Sequence, residues 1–141
     1  VEFYDQFEHN IDDKGRLVLP AAYRAAFANG GYATIRAGYV GLYPQGEWER
    51  ERRRMADSGR FTQRDLQRIL ALTSPFTPDA QYRINLGAKL REAVEPNLAR
   101  EVTVVGSGTH AGVYDRAAWA AIETGVDDAP LVDKIASLEW L

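Results

Sequence analysis

Two five-residue stretches concentrate the side chains able to do chemistry: Asp12-Asp13-Lys14-Gly15-Arg16 and Asp79-Ala80-Gln81-Tyr82-Arg83. In each, a carboxylate stands four residues before a guanidinium. The planar arginine fork suits two-pronged contact with a carboxylate, a phosphate or a guanine edge, and a neighbouring acid can hold that fork in place. Taken alone, either stretch is equally well a β-hairpin turn carrying an exposed ion pair worth ~0–1 kcal/mol.

Little else competes with them. The chain has no cysteine and two histidines, His9 and His110. Disulfides, thiolate metal sites and cysteine nucleophiles are excluded, and each imidazole is expected to be solvated or hydrogen-bonded instead of a ligand. No nucleophile with its base, and no carboxylate pair, marks a reaction centre; no enzyme, cofactor, metal or small-molecule ligand is expected. Val104-Val105-Gly106-Ser107-Gly108 has the glycines of a dinucleotide loop, but a second strand pattern follows where that loop needs a helix. Arg50, Arg52, Arg53 and Arg54 alternate with Glu47, Glu49 and Glu51, the mark of a solvated helix or a subunit interface more than of a phosphate grip.

The net charge is −3, and it is unevenly spread. Residues 1–110 hold 15 Lys+Arg against 14 Asp+Glu, residues 111–141 hold two against six, and 14 of the 17 basic residues are arginine. Acidity is confined to the tail, leaving the rest free to meet an anionic partner. With no leader pattern and no apolar run near the ~18 residues of a membrane span, the expectation is a soluble, cytoplasmic chain in a reducing compartment.

The two stretches belong to a larger duplication. At an offset of 67, Asp12, Arg16, Leu17, Leu19 and Arg24 meet Asp79, Arg83, Ile84, Leu86 and Arg91; at 71, Gly41, Tyr43 and Trp48 meet Gly112, Tyr114 and Trp119. A unit of roughly 60 residues is present twice, so both halves should share one fold. The pattern within a unit is strand, turn, strand, short helix, strand, strand, helix. Leu17 and Leu19 alternate with Val18 as one face of a strand; Pro20 suits a first helical turn, and Tyr23, Ala26 and Phe27 share a face before Asn29-Gly30-Gly31. Pro44 opens a second helix. After Ser58-Gly59 a third starts at Thr62, with Asp65 completing its cap and Leu66, Ile69 and Leu70 as its buried stripe. Trp48 and Trp119 are expected in the core. The tail places Leu131, Ile135 and Leu138 on one face that needs a partner.

The repeated Asp-x-x-x-Arg before a short strand and helix, Tyr43-Pro44-x-x-x-Trp48 after it, and Arg64-Asp65-Leu66-Gln67-Arg68-Ile69-Leu70-Ala71 leading into the second copy together resemble the MraZ family. The resemblance runs from about Tyr4 to about Trp119. It implies an α+β, mainly β fold: a pseudo-twofold double AbrB-type swapped-hairpin β-barrel with short flanking helices. The implied units are 1–57, a linking helix over 58–75, 76–122, and an acidic amphipathic tail over 123–141. It further implies a nucleoid-associated DNA-binding regulator, as a rule a repressor of the bacterial division and cell-wall cluster, binding short G-rich direct repeats of double-stranded DNA as a homo-oligomeric ring.

Under that reading Arg16 and Arg83 are the base readers, because an arginine fork meets guanine O6 and N7 together. Lys14 grips phosphate, and Asp12 and Asp79, which phosphate would repel, orient their arginines or cap the turns. Tyr82 and Gly87 stand where the family has glycine and proline. A tyrosine at a positive-φ position is expected to alter the second turn. The competing reading is a protein-interaction module, an antitoxin-like or ring-forming scaffold that works through the tail.

Overall fold

The computed structural model describes residues 2–140. In chain order these form β1 (Gln6–Asn10), β2 (Arg16–Val18), a single 3-10 turn (Ala21–Tyr23), β3 (Gly31–Arg36), β4 (Tyr39–Pro44), α1 (Gln45–Asp57) and α2 (Gln63–Ala71). There follow β5 (Ser74–Phe76), β6 (Arg83–Asn85), α3 (Ala88–Ala93), β7 (Glu101–Gly106), β8 (Ala111–Asp115), α4 (Arg116–Thr124) and α5 (Ala129–Glu139). Mixed α and β structure is thus organised on antiparallel strands, six in the order β1-β7-β8-β4-β3-β5 and two, β2 and β6, as a separate ribbon. Among the described residues no helix is long and apolar enough to cross a membrane.

Pairing register turns the sequence repeat into a pseudo-twofold axis. Gly41 lies opposite Gly112 in β4–β8, and Leu17 opposite Ile84 in β2–β6, so at these two axial positions a residue meets its own repeat counterpart. Away from the axis the pairs exchange: β1 of the first half joins β7 of the second with Phe7 opposite Val104, and β5 joins β3 with Ser74 opposite Ala33. Each half hands its first strand to the other. The apolar faces so created close on one core that includes Phe3, Leu17, Tyr23, Phe27, Ile84 and Leu90. Neither half could bury these side chains by itself.

Three details depart from the sequence pattern, and two agree with it. After Pro20 the expected helix is one 3-10 turn followed by further i to i+3 turns, Tyr23 N–H to Pro20 and Ala28 N–H to Ala25 among them. Gly30, at φ 90°, ends the stretch before helix could propagate, yet Tyr23 and Phe27 are buried as the pattern required. Helix α2 forms with its Thr62–Asp65 capping box and packs toward β3 and Met55 of α1, but Leu66 and Ile69 are only half-buried and Leu70 is exposed. Trp48 is buried beside Tyr43 and Met55, whereas Trp119 is half-buried and donates its Nε1–H to Gln6 Oε1 at 2.6 Å. The paired arginines of α1 bond glutamates three residues back, Arg50 to Glu47 and Arg54 to Glu51. The glycine-bearing segment after β7 is a hairpin into β8, so no helix N-terminus faces it.

Rings run across the outer face of the sheet over the axial glycines. His110 stacks on Tyr43 at 4.4 Å between centroids and Tyr39 on Tyr114 at 4.6 Å, while a Cβ at Gly41 would come within 2.7 Å of Tyr43 and one at Gly112 within 2.9 Å of Tyr114 and Tyr39. His110 is the repeat counterpart of Tyr39, and its Nε2 shares a hydrogen bond of 3.1 Å with the Tyr39 hydroxyl. Burial holds the imidazole below its ordinary value of 6.5, with Arg36 adding to the effect. A depressed imidazole contributes stability that is full above pH ~6.5 and declines as the unfolded chain protonates first. His110→Tyr should therefore lose less thermal stability than the parent between pH 7.5 and pH 5.5; equal losses would remove His110 from the account.

Candidate nucleic-acid interface

Both Asp-x-x-x-Arg stretches fold as the same turn. In the first, the Asp12 N–H donates to the Arg16 carbonyl at 2.9 Å and the Gly15 N–H to the Asp12 carbonyl at 3.0 Å; in the second, Asp79 to Arg83 is 3.0 Å and Tyr82 to Asp79 is 2.9 Å. Asp12 Oδ1 accepts the N–H groups of Lys14 and Arg16, both at 2.9 Å, and Oδ2 accepts Arg16 Nε–H at 2.8 Å. Asp79 does the same with Gln81, Arg83 and Arg83 Nε at 2.8, 2.9 and 2.7 Å. Each carboxylate caps its turn and fixes its arginine together. The backbone N–H of the arginine, foremost, keeps each carboxyl below the usual range, so it stays ionised at neutral pH.

Because Nε–H is engaged by the aspartate, both terminal nitrogens of Arg16 point onward without a protein acceptor among the described residues. That end of the fork is the pair guanine O6 and N7 require. Arg83 differs, since its Nη2 also donates to Gln81 Oε1 at 3.1 Å. Gln81 occupies the repeat position of Lys14, so the second turn has a brace where the first has an exposed cation.

Tyr82 leaves the turn geometry unchanged, against expectation. Its φ of 61° lies beside the 77° of Gly15, and every backbone hydrogen bond of the first turn recurs. A left-handed non-glycine residue costs on the order of 1–3 kcal/mol. Arg24 offsets part of that cost: its guanidinium carbon stands 4.3 Å from the centre of the Tyr82 ring while its Nε–H donates to the Leu19 carbonyl at 3.1 Å. Arg91 mirrors it, with Nε–H to the Leu86 carbonyl at 2.9 Å and Nη2 within 3.0 Å of where a Gly15 Cβ would stand. Backbone bonds cross in the same way, Leu19 N–H to Tyr82 and Leu86 N–H to Gly15 at 2.9 and 2.8 Å. Each turn is thus held by the other repeat.

The β2–β6 ribbon joins the two turns. Arg16 lies opposite Asn85 and Val18 opposite Arg83. Side chains alternate along a strand, so these four share the outer face while Leu17 and Ile84 enter the core. A two-stranded ribbon of this kind fits a major groove, and an arginine, an asparagine, a valine and a second arginine offer donors and one apolar contact to base edges. Asn85, Arg24 and Arg91 thus join Asp12, Lys14, Arg16, Asp79 and Arg83 around one surface. The alternation of the strand already implied Asn85, and the repeat alignment already paired Arg24 with Arg91.

Among the described residues no group of three or more His, Asp or Glu is placed to hold a metal ion. Comparison with known proteins agrees with the duplicated plan. A family model described as "MraZ protein, putative antitoxin-like" matches twice, over residues 3–71 and 69–138. A transcriptional regulator MraZ of Roseiflexus castenholzii is 32% identical over 98% of this chain and 99% of its own length. Proteins of the same name from Kocuria rhizophila and Mycobacterium sp. strain KMS are 37% and 36% identical over 83% of both chains. With two repeats matched across most of its length and relatives of this similarity, the chain belongs to the MraZ family.

Proposed function

We propose that the protein is a sequence-specific DNA-binding transcriptional regulator that reads guanine-bearing sites through the β2–β6 ribbon and its two turns. The observation that carries this reading is the reciprocal construction of the two turns, each presenting an arginine already oriented by an ionised aspartate. Such a fork loses little freedom on binding. Lys14 supplies phosphate contact to the first turn, and Arg24 and Arg91 position the turns from opposite sides.

The finer reading follows the family resemblance: AbrB-type swapped-hairpin units at 1–57 and 76–122, a linker over 58–75 and a tail over 123–141, assembled as a ring on short G-rich direct repeats, repressing the division and cell-wall cluster in the cytoplasm at the nucleoid. The exchange of β1 and β5 between halves supports the swapped arrangement. A ring suits a chain that is not strongly basic overall, because evenly spaced repeats add effective concentration to weak single contacts.

Fluorescence anisotropy with G-rich direct repeats and with scrambled duplex, at two salt concentrations, tests the proposal. The repeats should bind more tightly at both salts, with affinity falling steeply as salt rises. Equal affinity for both duplexes would overturn specific readout.

A further inference from the structure

Helix α5 carries Leu131, Ile135 and Leu138 along one stripe, each about half exposed or more, with Val132 and Trp140 exposed beside it. In the first half α2 turns Leu66 and Ile69 toward Met55 of α1 and leaves a trough of about 460 Å³ between the two helices. Met55, Leu66, Ile69 and Leu70 floor it, and Arg52 and Gln67 edge it. An amphipathic helix and an apolar trough are complementary shapes.

Their charges are complementary as well. Residues 52–68 hold six arginines against two aspartates, and residues 123–140 hold five acids against one lysine. Among the described residues Arg52, Arg53, Arg64 and Arg68 form no ion pair, nor do Asp127, Asp128, Asp133 and Glu139. Opposed unpaired charges of this kind select a partner and an orientation.

We propose that α5 of one copy seats its Leu131–Ile135–Leu138 stripe in the α1–α2 trough of a second copy, with the tail acids facing Arg52 at its edge and the other arginines of α1 and α2. Tail and trough are different surfaces, so the contact is heterologous: each copy gives one tail and receives another. Such a contact runs head to tail and closes where its rotation permits. The inference deepens the ring reading and does not depend on DNA contact by the turns.

Sedimentation velocity on the full chain, over a wide concentration range, reads the contact. The parent should assemble beyond a dimer, less so as salt rises. Ile135→Glu with Leu138→Glu breaks the tail, and Arg52→Glu with Leu70→Glu breaks the trough; each double variant should lose assembly while keeping its circular dichroism. Mixed in equal amounts they should form a one-to-one dimer and nothing larger, because one intact tail meets one intact trough. If the glutamates disturb folding, Ile135→Ser and Leu70→Ser carry the same mixing test. The proposal is overturned by a trough variant that assembles like the parent, by a mixture that stays monomeric, or by a parent that is monomeric throughout, as it would be with each tail in its own trough. Arg16→Ala should assemble as the parent does, and the tail variant should still prefer a single-repeat duplex to a scrambled one. Failure of DNA reading and failure of this contact are therefore told apart.

Discussion

Alanine at Arg16 should erase most of the preference for G-rich repeats while leaving the fold intact. The side chain is partly exposed and among the described residues its one polar partner is Asp12, so truncation opens no cavity. What it removes is a fork already aimed outward. A good arginine–guanine pair is worth ~1–3 kcal/mol of discrimination, which is about five- to 150-fold for each engaged turn. On a multimer spanning several repeats these losses multiply. Lys14→Ala should behave differently, weakening all duplexes alike and lowering the salt slope by ~0.9 for each phosphate left without its cation. Arg83→Ala should cost less than Arg16→Ala, because Gln81 holds one terminal nitrogen that must be released before it can meet a base. Anisotropy titrations on matched and scrambled duplexes measure all three. An Arg16→Ala protein that keeps the parent's preference would strip that residue of its role.

Much of this surface was legible in the sequence, since the signals were local and stated twice. Asp12 and Asp79 sit where a short acceptor can take the N–H groups two and four residues on, and a repeated spacing is hard to reach by accident. The Tyr82 turn was not legible, because what stabilises it comes from elsewhere. Arg24 lies far from it in the chain and reaches its ring only through the β2–β6 ribbon. Propensity ranked the tyrosine correctly and could not see the compensation.

Coverage was the other thing that periodicity left open. The spacing of Leu66, Ile69 and Leu70 gives their common face but not how much protein stands over it, and the structure leaves that face half open. The two tryptophans show the same limit. Trp48 is sealed by a neighbourhood that includes Met55, Leu66 and Ile69, while Trp119 is left half-buried and finds a polar partner in Gln6. Identical spacing in sequence therefore produced one core residue and one rim residue.

Leu17→Ala should be among the most damaging single changes available, and Ile84→Ala its near equal. Both side chains are essentially fully buried, and they face each other where the pseudo-twofold axis crosses the ribbon. Truncating a buried leucine or isoleucine to alanine typically costs ~2–5 kcal/mol, with the higher values where surroundings cannot collapse. Collapse is restricted here, because the strands are pinned at both ends by Leu19 N–H to Tyr82 and Leu86 N–H to Gly15. Against a total of ~5–15 kcal/mol for an ordinary domain, either loss is a large fraction. The two cavities would merge, so the double variant should fall short of the sum by an interaction energy of ~0.5–3 kcal/mol. Urea denaturation read as midpoint at unchanged slope measures the cycle. Because Asp12 and Asp79 take their geometry from this ribbon, the single variants should also lose guanine preference at temperatures where they remain folded, without touching any side chain of the proposed DNA surface. Full preference in a well-folded Leu17→Ala protein would mean that each turn holds its arginine unaided, through its aspartate alone.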